Sequence, residues 1–382
     1  MKKLELYIHI PFCVRKCAYC DFLSFASIEQ DRINYVDALL NEIESYRDLG
    51  KECQVSTIFI GGGTPSVLEP GLMEQIMGKI QEIFSVEGNA EITIEVNPGT
   101  VSEEKISMYT KVGINRVSIG LQATNNEELA MLGRIHTYEE FLETYQMIYE
   151  QGIHNINIDL ISAIPKQTVE SWTKTMDQVL ALNPTHISAY SLIIEEGTLF
   201  HDKYEEYEHL LPEEEAEREM YHLTKTKLEE AGYFRYEISN YAKAGYECKH
   251  NLGYWERVNY LGVGLGASSC IENVRWSNEK DMNVYINLCE NGESCILEKE
   301  ELSQQAKMEE FMFLGLRKME GVSKQEFCNE FGVEIEAVYG EILDSLKEKG
   351  LLIEENKEEI IWIKLTELGI DVSNQVMVEF LE

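Results

Sequence analysis

The first half of the chain alternates short apolar runs with longer amphipathic ones, and this alternation constrains the fold more than any other feature of the 382 residues. Strand-like runs fall at 4–10, 57–60, 91–96, 116–121, 155–161 and 186–192. Stretches with a helical period separate or follow them, at 30–49, 69–84, 102–111, 138–150, 169–180 and 212–230. Strand, helix, strand at this spacing predicts parallel βαβ units. Their right-handed crossovers curl the strands into a barrel or an open sheet. Six units are too few for a closed eight-stranded barrel. The expected fold class is therefore α/β, an open (β/α)6 partial TIM-type barrel, with its ligands at the strand C-termini.

The pattern changes twice further on. Residues 236–298 are rich in glycine and aromatic residues, have no long helical period, and read as a connecting region after a core of residues 1–235. Residues 299–382 read as three helices, two short strands at 351–354 and 360–365, and a last helix, a C-terminal helical, winged-helix-like domain. Residues 300–382 hold 8 basic against 20 acidic residues, and the whole chain carries a formal charge of −35. Such a surface repels phosphate backbones, so no nucleic acid is expected as a partner. No apolar run reaches the length of a membrane span, and the N-terminal run reads as a strand, so no integral membrane segment and a cytoplasmic location are expected.

Nine cysteines are present, and only Cys13, Cys17 and Cys20 are clustered, as CxxxCxxC. Three thiolates within eight residues can wrap one iron–sulfur cubane and leave its fourth iron without a protein ligand. An open metal position is what catalytic sites keep. Structural zinc, or plain thiols, is the competing reading, but zinc would want a fourth Cys or His at finger spacing.

CxxxCxxC directly after a first strand resembles the signature of the radical S-adenosylmethionine (SAM) family. The string Tyr7-Ile8-His9-Ile10-Pro11-Phe12-Cys13 is similar to the group that holds oxygen-independent coproporphyrinogen III oxidase and its heme-chaperone relatives. The resemblance spans almost the whole chain. It implies a radical SAM core, a [4Fe-4S] cluster on Cys13, Cys17 and Cys20, and SAM on the open iron. It further implies SAM or cavity contacts for Tyr7, Gly63 and Thr64 of Gly-Gly-Gly-Thr-Pro, Glu95, Gln122, Arg134 and Asp159. Taken singly, Gly61–Pro65 also suits a tight strand–helix turn, and each polar residue also suits a cap or a surface loop. Their order after the cysteine motif is what favours the site.

Two departures separate the chain from the oxidase pattern. That pattern runs CxxxCxxCxC, and Phe22 stands where its last cysteine would be. Cys13 also lies close to the first residue, where the oxidase carries a longer arm. A third feature, His250-Asn251-Leu252-Gly253-Tyr254-Trp255, is HNxxYW, a string that the resemblance associates with heme-binding members. Imidazole is a normal heme ligand, tyrosine can be one, and an indole offers a face to a porphyrin. A structural loop with a hydrogen-bonded histidine is the alternative for His250. Lys249 or Arg257 would meet the heme propionates.

The resemblance thus implies a chaperone that binds heme and passes it to acceptor apoproteins, with an electron donor for the cluster. The alternatives are an oxidative decarboxylase of coproporphyrinogen III, or a radical enzyme that modifies heme. No residue is assigned a catalytic role. The cysteine motif carries its own test. Cys17→Ala is expected to abolish the charge-transfer absorbance at roughly 400 nm of the anaerobically reconstituted protein. A full cubane retained in Cys13→Ala, Cys17→Ala and Cys20→Ala proteins alike would contradict the ligand assignment.

Overall fold

The computed structural model describes residues 1–381. Six parallel strands lie side by side in chain order: β1 (Lys2–Ile10), β2 (Cys53–Gly62), β3 (Ser85–Val96), β4 (Arg116–Gln122), β5 (Asn155–Ser162) and β6 (His186–Ser191). The main crossover helices are α1 (Glu29–Ser45), α2 (Pro70–Ile83), α3 (Glu103–Lys111), α4 (Tyr138–Glu150) and α5 (Val169–Leu182), and α6 (Glu214–Glu230) follows β6. Local chemistry starts these helices. Thr137 and Thr168 each accept from the backbone N–H three residues on, and Pro70 sits in the first turn of α2, where its missing N–H costs nothing.

The parallel strands alternate with period two, interrupted in β2 by a bulge between Val55 and Thr57. Leu4, Leu6, Ile8 and Ile10 of β1 and Ile92, Ile94 and Val96 of β3 pack outward into the main core under the helices. The intervening residues turn into the barrel, and most are polar: Glu5, Tyr7 and His9 on β1, Glu91, Thr93 and Glu95 on β3, Asn157 and Asp159 on β5. The outward face holds the fold together, and the inward face is left for chemistry.

The sheet runs well beyond these six strands, to twelve in all. β7 (Phe234–Arg235) and β8 (Asn240–Ala242) continue it antiparallel past β6. On the other side β9 (Tyr260–Val263) lies parallel to β1, with Glu5 beside Tyr260 and Ile8 beside Val263. β10 (Ser268–Ile271), β11 (Val274–Asn278) and β12 (Ile296–Glu301) extend that edge antiparallel. Residues 236–298, expected as a connecting region, thus pair into the same sheet. Their strands are too short and too interrupted by glycine to leave a readable period.

A short helix, α7 (Lys249–Trp255), packs against β2 and plugs the end of the barrel away from the strand C-termini. The C-terminal unit follows winged-helix order: α8 (Gln304–Gly315), β13 (Val322–Ser323), α9 (Lys324–Phe331), α10 (Ile335–Glu348) and the hairpin β14 (Leu352–Lys357) with β15 (Ile360–Leu365). It has its own core around Met312, Leu316, Phe327, Leu343 and Ile363. No helix among the described residues is long and apolar enough to cross a membrane.

Packing at the plugged end leaves one carboxyl in an adverse position. Glu5 is buried against α7, where a Cβ at Gly253 would collide with its carboxyl, and neither oxygen has a hydrogen-bond partner. Burial pushes its pKa up to about 8, against the opposing charge of Lys3 and with help from Glu91. Folded Glu5 therefore keeps its proton at neutral pH, whereas the unfolded chain releases it above the ordinary value of 4.5. The resulting cost is absent in acid and grows as pH rises toward 8. Glu5→Gln is expected to raise Tm by roughly 2–4 °C at pH 8 and to leave it nearly unchanged at about pH 5. An equal effect at both pH values would contradict this account.

Candidate functional site

The cysteines sit on the loop that leaves β1. Backbone hydrogen bonds hold that loop from several sides. Phe25 N–H donates to Pro11 O at 2.7 Å, Gly63 N–H to Ile10 O at 2.9 Å, Thr64 N–H to Phe12 O at 2.7 Å and Ala18 N–H to Leu132 O at 2.9 Å. Gly63 makes the approach possible, since a Cβ there would lie 2.7 Å from Phe12 O. His9 braces the far end of the loop. Its Nε2 meets Leu23 O at 2.9 Å, and its Nδ1 meets the Tyr7 hydroxyl at 2.9 Å.

Cys13, Cys17 and Cys20 are half-buried free thiols that line one wall of a cavity of about 390 Å³. Gly63, Thr64, Glu95, Gln122, Arg134 and Asp159 line the same cavity. Nine of the residues singled out in the sequence thus meet at the C-terminal ends of β1 to β5. Tyr7 does not line it. It lies one layer deeper on β1, stacked on Phe59 and bonded to His9, because the period of two puts its ring below the His9 level.

Among the described residues, no three His, Cys, Asp or Glu side chains converge on a single-ion position. Three thiols on one cavity wall suit an iron–sulfur cluster, whose irons each take their own thiolate. Burial pushes the Cys20 thiol up to about 11, with the Phe22 backbone opposing, so metal must displace a proton there.

Arg134 joins the thiol wall to the strand ends. Its Nη1 donates to Cys17 Sγ at 3.6 Å, and its Nη2 donates to Asn97 Oδ1 at 2.8 Å and to Gly120 O at 2.5 Å. Asn97 in turn donates to Thr64 Oγ1 at 2.7 Å, and Thr64 Oγ1 lies 3.4 Å from Cys13 Sγ. Gly120 is needed here, since a Cβ would press on Asn97, Gln122 and Arg134. Gln122 ends β4 with φ at 73°, which turns its amide into the cavity wall.

Two acids form the floor. Glu95 accepts from Gly62 N–H at 3.1 Å, and burial together with the charge of Asp159 pushes its pKa up to about 8. Asp159 accepts from Ser118 Oγ at 2.9 Å and Asn157 Nδ2 at 2.8 Å, and burial raises it as well, against those hydrogen bonds. Two buried acids side by side, one raised by burial and by its neighbour's charge and the other by burial, are a site for a cationic ligand. The rest of the lining is mixed: Val96, Ile161, Tyr190, Leu192 and Ile193 form an apolar wall, Arg15, Lys16, Asp21 and Glu195 bring charge, and Phe22 is 62% exposed. Asn97, Ser118 and the apolar wall carried no separate signal in the sequence. Asn97, two residues after Glu95 at a strand end, was the one that its position could have suggested.

The HNxxYW residues are not part of this cavity. His250 is 1% exposed, with Nδ1 2.7 Å from Thr57 Oγ1 and Nε2 3.0 Å from the Tyr254 hydroxyl. Burial, then Arg116, pushes its pKa down to about 3, so the ring is neutral. Trp255 faces the Arg317 guanidinium at 4.4 Å. Asn251 is half-buried on α7, and Cys248 caps the start of that helix. Arg257, expected near a propionate, is instead paired with Glu330 and flanked by Phe311 and Phe331, while Lys249 is exposed. The motif therefore plugs the barrel and holds the C-terminal unit, contacts that lie far apart in the chain.

Comparison with known proteins agrees with this geometry. The family model of the Radical SAM superfamily matches residues 7–179, and that of the HemN C-terminal domain matches residues 302–371. The solved structure of coproporphyrinogen III oxidase (HemN) from Escherichia coli superposes with a TM-score of 0.87 over 99% of this chain and 90% of that one, at 24% identity, a likeness of fold. Fold and site thus define a radical SAM protein. The heme chaperone HemW of Lactococcus lactis is 36% identical over 380 residues, which covers 100% of this chain and 98% of the relative. That of Bacillus subtilis is 36% identical over 98% of each chain. The chain belongs to the HemW family.

The floor acids carry a prediction. Glu95→Ala and Asp159→Ala are each expected to weaken SAM binding to the reconstituted protein about tenfold or more, by calorimetry. Unchanged affinity in the double variant would remove both from the site.

Proposed function

We propose that this protein binds heme and delivers it to acceptor hemoproteins, and that Cys13, Cys17 and Cys20 hold a [4Fe-4S] cluster whose open iron takes SAM. The reading rests on near full-length similarity to proteins named heme chaperone, and one observation in the site carries it. Phe22 places an exposed aromatic ring at the cavity mouth, where the oxidase pattern has a further cysteine. The six other cysteines lie outside the residues lining this cavity.

When bound, such a cluster supplies one-electron chemistry and a Lewis-acidic iron. The chain's own residues do the rest. The Arg134 guanidinium sets a positive charge against the Cys17 sulfur and locks the loop to β4. Glu95 and Asp159 offer acceptors to a ligand's ammonium or ribose hydroxyls. The Gly61–Gly63 backbone allows close approach. The apolar wall around Ile161 and Leu192 excludes water. Reduction of the cluster calls for a one-electron protein donor.

For heme, both imidazole nitrogens of His250 are engaged, so His250 serves as an iron ligand only if α7 moves. Lys249 is an exposed cation at the start of α7, and its charge suits a propionate. The oxidase fold likeness supports coproporphyrinogen decarboxylation as the second reading, and Phe22 argues against it. The expected outcome is saturable heme binding in a spectroscopic titration, weakened in His250→Ala, and no protoporphyrinogen formed from coproporphyrinogen III under anaerobic turnover with SAM. Robust decarboxylation without saturable heme binding would overturn the proposal.

A further inference from the structure

The SAM cavity and the HNxxYW helix lie at opposite ends of the barrel, yet an unbroken hydrogen-bonded chain joins them through the lumen. Asp159 Oδ1 accepts from Asn157 Nδ2 at 2.8 Å. Asn157 Oδ1 meets His186 Nδ1 at 2.6 Å, and His186 Nε2 meets the Tyr236 hydroxyl at 2.8 Å. The Tyr236 oxygen accepts from Cys248 N–H at 3.3 Å. Cys248 Sγ donates to Glu91 Oε1 at 3.6 Å, and the same oxygen accepts from His250 N–H at 3.4 Å.

The polarity of the chain is fixed. Burial and then Arg116 keep His186 neutral, so it carries one ring proton. An amide oxygen can only accept, so that proton is on Nδ1, and Nε2 accepts from Tyr236. The tyrosine lone pairs are then free for the Cys248 N–H. His186, Asn157 and Glu91 are all buried, so exchange with water does not compensate for a lost link. Arg116 spans the two ends. Burial opposes its charge, but Cys248, Glu91 and Tyr236 near the plug and Asp159 near the cavity together stabilise it. The two N–H links at Cys248 and His250, 3.3 and 3.4 Å, are the longest of the nitrogen and oxygen bonds in the chain and therefore the first to give.

We infer that Asn157, His186 and Tyr236 are positioning residues that couple occupancy of the SAM cavity to the hold on α7. The connection passes through the backbone of Cys248, so it transmits position and not a proton. A ligand that draws Asp159 toward the cavity reorients the Asn157 amide. It thereby shifts the His186–Tyr236 pair and loosens or tightens the start of α7, where His250 lies. By linkage, the state of α7 must alter SAM affinity by the same factor. This inference rests on the reading that Asp159 contacts SAM.

The test is a double-mutant cycle on SAM affinity, by calorimetry on the anaerobically reconstituted full chain. His250→Ala, at the plug and far from the cavity, is expected to change the SAM Kd roughly fivefold or more. Tyr236→Phe, which removes one oxygen from the middle of the chain, is expected to cancel most of that effect, so that the double variant is not the product of the singles. Hydrogen exchange provides a second readout. SAM is expected to change amide protection over residues 248–257 in the native protein and not in Tyr236→Phe. A His250→Ala effect below twofold, or fully additive singles, or the same exchange response in Tyr236→Phe, would overturn the coupling. Asp159→Ala separates the two claims. If it leaves SAM affinity unchanged, the cavity reading fails; if it weakens SAM while the cycle is additive, only the coupling fails. If His250→Ala does not take up a cluster, the exchange comparison with Tyr236→Phe decides alone.

Discussion

The inward face of the parallel strands is polar, and the rest of the structure answers to that constraint. A parallel barrel normally fills its interior with branched apolar side chains. Here Glu5, Glu91, Glu95, Arg116, Asn157, Asp159 and His186 occupy it, and all are withdrawn from bulk water. Each such group costs free energy unless it is paired. At the strand C-termini burial and the charge of Asp159 raise Glu95, and both acids line the open cavity. At the other end α7 inserts as a plug, and Thr57, Glu91 and Tyr254 satisfy His250 and Cys248. Glu5 is left without a full hydrogen bond, with His250 Nδ1 3.8 Å away, and its raised pKa registers that cost.

The same constraint explains what the HNxxYW residues do in this state. His250 and Tyr254 complete the polar interior, and Trp255 with Arg317, together with the nearby Arg257 with Glu330, grips the C-terminal unit. A heme-binding role for His250 therefore involves the plug itself. Opening α7 would also disturb the winged-helix unit, since both contact sets sit within residues 250–257. Two units with separate cores are thus joined by a segment that reaches into the barrel.

Much of this was legible in the sequence. The six βα units stood out because each strand keeps its outward apolar face over four or more residues, and each helix keeps a 3.6 period. The cysteine loop and Gly63, Glu95, Gln122 and Asp159 were legible because the strand pattern puts them at the tops of those strands and the family resemblance marks them, whereas Arg134, twelve residues beyond β4, was legible from the resemblance alone. Other features depended on contacts between distant residues. β9 is four residues long, and it pairs with β1 across some 250 positions. His250 finds Thr57 across 193 positions, and Arg257 finds Glu330 across 73. No local period encodes such pairs. A basic residue expected at a heme edge was therefore found in a domain contact, and Tyr7 one layer beneath the cavity.

The central claim is that three cysteine thiolates leave one iron to SAM above Glu95 and Asp159. The most direct measurement is electron–nuclear double resonance on the reduced, anaerobically reconstituted protein with SAM labelled by nitrogen-15 at its amino group. The account predicts a nitrogen hyperfine coupling to the cluster that disappears when unlabelled SAM replaces the labelled form. A cluster signal that is the same with and without SAM, with no nitrogen coupling, would contradict it.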